Sequence, residues 1–275
     1  YEKDINDVRE RTMKLISCLF EELSQFIPGY IAKYNDDFEP RAFGDNMIKW
    51  GTSSVLIETG GWKNDFEKQF LRKINFVALL SAFQSISNEC YKTSDIQTYF
   101  NIPENERRAF DLLLRNVTME KDGRDILVDI GIYRTENIFQ DKQEINFIGR
   151  VQDIGDLTPF FGYDELDCDT MKIFPGKIYL SEINSIEDVE KLDYEKLYEQ
   201  GYTSVKVNNF TTKERCTKLP INIITKDKNK DEEIKIGSSA NFIIKEKDEI
   251  RYIVVNGYVY DIEQKEGLIY NSIIE

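Results

Sequence analysis

The chain has 275 residues, 41% of them hydrophobic and 31% charged, which is more than one average domain and enough to bury a substantial core. Its formal net charge of −14 excludes a surface built to neutralise nucleic-acid phosphates or anionic lipid, because both need clustered Lys and Arg. No apolar window approaches the roughly 20 residues of a membrane-spanning helix, so no membrane insertion is expected.

From the amino terminus, Asp4 to about Gln25 predicts a helix: Val8, Met13, Ile16, Leu19, Phe20 and Leu23 recur mostly at helical spacing. Its polar start carries no signal-peptide pattern, which leaves a cytoplasmic protein or a mature or truncated piece. Pro28-Gly29 ends the helix, and Tyr30 to Trp50 is irregular. Thr52 to Ile57 reads as a buried strand closed by Gly60-Gly61. Asn64 or Asp65 then caps a second helix from about Phe66 to Ser87, with Phe70, Ile74, Val77, Leu80 and Phe83 on a broad apolar face.

From about Cys90 onward short strands predominate. Arg107 to Arg115 reads as a helical exception. Asp125 to Tyr133, Ile145 to Val151 and Met171 to Leu180 read as strands, the last broken at Pro175-Gly176. Ser185 to Gln200 predicts a helix with Ser185 as cap and Glu187 and Asp188 in its first turn. Tyr202 to Val207 is a further strand, and Lys226 to Glu233 a charged loop. Arg251 to Val255 and Tyr258 to Tyr260 flank Asn256-Gly257, the signature of a type I′ hairpin. The organisation expected is an α/β domain over residues 1–90 and a mostly β domain over residues 91–275, with one or two helices.

The run Ser54-Val55-Leu56-Ile57-Glu58-Thr59-Gly60-Gly61 carries the clearest chemical suggestion. A strand ending on a lone acid before glycines presents that acid at the rim of a sheet, where open α/β folds bind ligands. Against this, the chain has no histidine, the commonest metal ligand and acid–base partner. Cys18, Cys90, Cys168 and Cys216 are scattered without a CxxC pair and read as dispersed free thiols.

Other residues are weaker candidates. Arg41 has the fork geometry to bind a substrate carboxylate in bidentate fashion, with a surface ion pair as the competing reading. Lys49 and Trp50 lie nearby, Trp50 reading better as core. Asp125 and Asp129 share a strand face but suit a turn or edge. Asp164, Glu165, Asp167 and Asp169 lack EF-hand spacing and read as a solvated acidic loop. Phe160, Phe161 and Tyr163 beside Gly162 form a sugar or peptide platform or pack under a loop, the second reading being preferred.

Tyr30-Ile31-Ala32-Lys33-Tyr34, then Pro40-Arg41-Ala42-Phe43-Gly44-Asp45-Asn46, then Lys49 through Gly61 follow in the order long helix, loop, strand ending in glutamate, long helix. This series resembles the C-terminal part of the zinc carboxypeptidase family. The resemblance implies a partial carboxypeptidase-like α/β sheet over residues 1–90. It makes Glu58 the general base, accepting a proton from a zinc-bound water and returning it to the leaving amine. Arg41 as a substrate-binding residue is a chemical inference rather than a carry-over, and Tyr34 is not adopted as the family's substrate-side tyrosine. The family's His-x-x-Glu pair and later histidine would lie upstream. Zinc is therefore expected in a longer parent protein, while this chain alone holds no metal and is inactive. The resemblance also implies a peptide or protein substrate, a secreted or periplasmic setting, and an incomplete sheet whose open edge favours self-association.

Gly237 to Ile244 and Ile253 to Val259 resemble the terminal β-sandwich strands of amidohydrolases, which flank the catalytic barrel and carry no catalytic residue. The alternative to an enzyme is a non-catalytic binding module, a degenerate peptidase remnant joined to a β-sandwich that binds a carbohydrate, a peptide or a partner protein.

Overall fold

The structure of the protein, a computed structural model, describes every residue except 1–4, 35–38, 64, 66, 107, 140–143, 209, 211, 226–232 and 269. The chain divides into two units, Tyr1–Arg107 and Arg108–Glu275.

The first unit is helical. In α1 (Asp7–Leu23) the Asn6 side chain accepts the amides of Val8 and Arg9, both at 3.1 Å. This satisfies donors that the first helical turn leaves without carbonyl partners. α1 buries Met13, Ser17, Cys18 and Leu19. A short α2 (Phe43–Lys49) follows, then α3 (Gln69–Ser87). The Asp65 carboxylate caps α3 by accepting the amides of Phe70 at 3.1 Å and Leu71 at 3.0 Å. The alternative cap Asn64 and the expected start at Phe66 lie outside the described residues. α3 buries Leu71, Ala78 and Ser85 and exposes Phe76, Leu79, Leu80, Phe83 and Ile86. One turn of 3-10 helix (Cys90–Thr93) and α4 (Ile96–Asn101), capped by Asp95, complete the unit.

Among its described residues this unit has no β-strand, only a single bridge between Lys33 and Glu104. The strand expected at Thr52 to Ile57 is absent. Residues 52–61 have no regular structure, and Leu56 and Ile57 are exposed. An apolar run becomes a strand only where a neighbour completes its backbone hydrogen bonds, and no neighbouring strand is present among the described residues.

The second unit is rich in strands. β1 (Ala109–Lys121), β2 (Arg124–Phe139) and β3 (Glu144–Gly155) form an antiparallel meander. Asp122 and Gly123, with φ of 51° and 72°, turn β1 into β2, the backbone a type I′ turn requires. Of the helix expected at Arg107 to Arg115, Arg107 lies outside the described residues and residues 109–115 are instead the first half of β1, with Leu112, Leu113 and Leu114 all buried. Burial of successive residues marks a strand covered on both faces. β4 (Phe161–Asp167) runs parallel to β1, and β5 (Met171–Pro175) also meets β1, with Thr118 opposite Lys172.

At Gly176 the chain leaves this sheet, and β6 (Lys177–Ile183) starts a second one. α5 (Ile186–Val189) and α6 (Tyr194–Glu199), capped by Ser185 and Asp193, stand where one helix was expected over Ser185 to Gln200. β7 (Tyr202–Val207), β8 (Cys216–Thr217), β9 (Asn222–Ile224), β10 (Phe242–Glu246), β11 (Glu249–Val255), β12 (Tyr258–Asp261) and β13 (Ser272–Ile273) follow. The large sheet has the order β12-β11-β10-β5-β1-β2-β3, with β4 beside β1; the second sheet is β6-β7-β9, all parallel, and β8 pairs with β13. Asn256 and Gly257, at φ 51° and 77°, make the expected hairpin. The charged loop expected at Lys226 to Glu233 lies, except for Glu233, outside the described residues.

The segment just before β10 also pairs with β3, the last strand in the order of the large sheet. Gly237 donates to the Val151 carbonyl at 2.8 Å, Val151 to Ser238 at 3.0 Å, and Ala240 to Gly149 at 3.2 Å. One stretch of chain thus pairs with β3 through residues 237–240 and with β5 through β10. Leu112, Leu114, Ile130, Ile132, Ile173 and Phe242 form the core beneath it.

Candidate functional site

Glu58 lies on a segment held to the helices by side chains rather than by a sheet. Ser53 Oγ accepts from Arg11 Nε and donates to the Val8 carbonyl, each at 3.1 Å. Asn75 Nδ2 donates to Thr59 Oγ1 at 2.8 Å. Beyond Gly60-Gly61, Trp62 contacts Tyr30 and Phe70, with ring centroids 4.6 Å away in both cases. Glu58 itself is exposed. The structure does bring it towards Tyr34: burial, then the charges of Glu58 and Asp45, push the Tyr34 hydroxyl above its usual range. A phenol in that setting stays protonated and serves as a hydrogen-bond donor. Arg41 is turned elsewhere. Its side chain is 88% exposed and grips the Glu39 carboxylate through Nε at 2.8 Å and Nη2 at 3.3 Å. Lys49 ends α2, and Trp50 is exposed, not core.

In the second unit the acids that stood out in sequence are bound to neighbours. Asp164 pairs with Arg134 at 2.9 Å. Glu165 accepts the Gly162 amide at 2.8 Å and Arg115 Nη2 at 3.2 Å. The Gly162 bond, and Arg115 with it, hold the Glu165 carboxyl below the usual range against a smaller effect of burial. Asp167 accepts from Asn116 Nδ2 at 3.3 Å and from the Asp169 amide at 3.1 Å. The expected acidic loop is therefore mostly strand β4. Asp129 occupies neither a turn nor an exposed edge. It is buried and accepts the amides of Asn116 at 2.9 Å and Leu157 at 3.1 Å, with Arg115 Nη1 at 3.5 Å. It fills the bulge of β1 between Leu114 and Val117, where Asn116 has φ 56°. Asp125 instead pairs with Lys172 at 2.6 Å. Of the aromatics, Phe160 stacks on Phe110 with centroids 5.2 Å apart, while Phe161 and Tyr163 are exposed.

Arg134 anchors a half-buried cluster. Its Nη2 donates to the Asp111 carbonyl at 3.1 Å, its amide donates to the Asp111 carboxylate at 2.7 Å, and the Tyr258 ring covers the guanidinium at 4.4 Å. Burial pushes the Asp111 carboxyl up despite Arg134.

A set of asparagines that periodicity could not flag forms a buried polar network. Asn256 is fully buried. Its Oδ1 accepts the Gly149 amide at 2.7 Å, and its Nδ2 donates to the carbonyls of Phe147 at 2.8 Å and Asn271 at 3.0 Å. Its own amide reaches Asn241 Oδ1 at 2.8 Å, which also accepts Asn222 Nδ2 at 2.7 Å. Asn222 in turn accepts the Ile273 amide at 3.0 Å. The Asn-Gly dipeptide announced the hairpin but not the side-chain grip on β3.

No family model matches this chain, and no curated protein matches it. Among solved structures it is similar to an N-acyl-D-glutamate deacylase from Bordetella bronchiseptica complexed with zinc, at 22% identity and TM-score 0.28, over 36% of this chain and 18% of that one. It is similar to a D-aminoacylase, described as defining a subset of amidohydrolases, at 20% identity and TM-score 0.27, over 36% of this chain and 19% of that one. A Bacillus D-hydantoinase gives 15% identity and TM-score 0.27, over 42% of this chain and 26% of that one. The chain thus spans between 18% and 26% of the length of these proteins, and a TM-score of this size assigns neither a fold nor an activity.

These structures are hydrolases, and none of the three is a zinc carboxypeptidase. The segment quoted for that family also lacks the strand on which the role of Glu58 rested. The carboxypeptidase expectation is corrected, because the strand that was to present Glu58 at a sheet rim is not formed. The same correction applies to the peptidase remnant of the alternative reading.

Proposed function

We propose that Arg108–Glu275 is an accessory β-sheet frame belonging to a hydrolase of amidohydrolase type, with the reacting centre formed by residues outside this chain. The observation that carries this reading is the seam of Gly237 to Ala240, together with the Asn256-Gly257 turn, on β3. These are the stretches that resemble amidohydrolase terminal strands in sequence, and here they join strands rather than line a cleft. The ionisable side chains support the same reading. Asp129, Asp164 and Glu165 are each taken up in bonds that fix a bulge, a strand pair or a turn.

A metal of the kind named for the similar structures does not fit this chain's own residues. The chain has no imidazole, and among the described residues no group of three or more His, Cys, Asp or Glu is arranged around a common point. Any zinc would be held elsewhere in the enzyme, and no step is assigned to it here.

The test uses the purified chain. Metal analysis after dialysis should find far less than one zinc per chain, and incubation with an N-acyl-D-amino acid should release no free amine above buffer. One tightly held zinc together with turnover would overturn the proposal. Arg108–Glu275 produced alone should unfold in a single cooperative transition; a gradual loss of structure would also count against it.

A further inference from the structure

Two of the scattered thiols meet in the helical unit. Cys18 is buried on α1. Cys90 opens the 3-10 turn that follows α3 and is exposed. Ser85, in the last turn of α3 and 1% exposed, lies between them. Its hydroxyl donates to Cys18 Sγ at 3.4 Å and accepts from Cys90 Sγ at 3.3 Å. Both thiols therefore meet at one hydroxyl. The turn that brings Cys90 back is fixed by local bonds. Glu89 takes φ 59°, the Asn88 side chain accepts the Cys90 amide at 3.2 Å, and Thr93 Oγ1 donates to the Cys90 carbonyl at 2.8 Å.

We propose that Cys18 and Cys90 are an oxidation site, a dithiol that closes to a disulfide when a peroxide or a glutathione-type disulfide reaches the exposed Cys90. With hydrogen peroxide, the Cys90 thiolate attacks one oxygen. The O–O bond breaks, hydroxide leaves and is protonated to water, and Cys90 becomes a sulfenic acid. The Cys18 sulfur then attacks the Cys90 sulfur. The S–S bond forms, the S–O bond breaks, and hydroxide departs as water with the Cys18 proton. Two thiols and one peroxide give one disulfide and two waters, the two sulfurs supplying the two electrons. With a glutathione disulfide, Cys90 first forms the mixed disulfide and releases one glutathione thiol; Cys18 then displaces the second.

The order of events follows from exposure. Burial, partly opposed by the Ser85 hydroxyl, pushes the Cys18 thiol up, so it is the poorer first nucleophile and the natural resolving partner. Cys168 and Cys216 serve as internal controls. Both are buried, and burial drives the Cys168 thiol up to about 12.

The full chain is treated with hydrogen peroxide or oxidised glutathione, denatured, alkylated and mapped by peptide mass spectrometry without reduction. The expected product is a Cys18–Cys90 linked peptide, lighter than the two thiol peptides by two hydrogens, with Cys168 and Cys216 recovered alkylated. Dithiothreitol should restore all four thiols. Cys90→Ser should abolish the linked peptide. Cys18→Ser should instead trap Cys90 as its glutathione adduct or as a dimedone-reactive sulfenic acid. In the wild-type chain, Cys90 oxidised or glutathionylated while Cys18 stays fully alkylated would overturn the proposal. So would Cys90 joined mainly to Cys90 of another copy.

Discussion

Replacing Asn256 by alanine tests how strongly the hairpin holds β3. Asn256→Ala leaves the Gly149 amide, now accepted at 2.7 Å, without a partner inside the protein. A buried orphan of that kind costs about 1–3 kcal/mol. The Asn271 carbonyl loses its 3.0 Å donor, whereas the Phe147 carbonyl keeps one from Asn271 Nδ2 at 3.2 Å. Asn256 also has φ 51°, a left-handed conformation that asparagine tolerates better than alanine, at a difference of about 1 kcal/mol. With about 1 kcal/mol more for the Asn271 carbonyl the loss is about 3–5 kcal/mol, which at roughly 1–3 kcal/mol per molar urea lowers the midpoint by about 1–5 M. Asn256→Gly removes the same side-chain bonds but relieves the backbone, so it should fall about 1 kcal/mol short of the alanine variant. Urea unfolding followed by far-ultraviolet circular dichroism reads both. An alanine variant within about 0.5 kcal/mol of wild type would refute the idea that this side chain fastens the sheet.

Three further outcomes are expected. Gly149→Ala should abolish folding of the strand unit, because its β-carbon would run into the Asn256 backbone carbonyl, whereas Gly155→Ala, with open space around it, should be tolerated; soluble yield and circular dichroism separate them. Glu58→Gln should move the ultraviolet titration of Tyr34 down towards the ordinary tyrosine value, since it removes one of the two negative charges named beside burial, and an unmoved titration would separate these residues. Glu165→Gln should matter only above the usual glutamate range. The folded carboxyl titrates lower than the unfolded one, so its contribution is present above a pH of about 4.3 and is lost as pH falls through the folded value. Thermal melts of variant and wild type should therefore converge in acid; a difference that persists unchanged below that range would contradict the bond to the Gly162 amide.

Much of the strand unit was legible because its signals are local. Asn256-Gly257 fixes a turn type by backbone sterics, and Pro175-Gly176 interrupts a strand, here at the step from one sheet to the other. Leu112 to Leu114 misled because a short, continuous apolar run has no period that separates a covered strand from a helix. The Asp122-Gly123 turn just after it was the available correction. Ser185 to Gln200 carries a second cap, Asp193, that divides it into two helices.

Thr52 to Ile57 failed for a different reason. Its residues suit a strand, yet a strand exists only with a partner, and an apolar run does not say whether a partner is present. The candidate site was less legible than the fold. Acid spacing does not reveal that Asp129 serves a bulge, and nothing in sequence periodicity joins Asn256 to Gly149, or Cys18 to Ser85 and Cys90. The Asn256–Gly149 contact joins residues 107 apart in the chain and the Cys18–Ser85 contact residues 67 apart.

The central claim is that the second unit is a frame closed along β3 by its own backbone and side chains. Amide hydrogen exchange of the full chain in the presence of a chelator measures this directly. The amides of Gly149, Val151, Gly237, Ala240 and Gly257 should be protected to the same degree as the β1–β2 ladder, with no change on removing metal. Rapid exchange at these positions while β1 and β2 remain protected, or protection that disappears with the chelator, would contradict it.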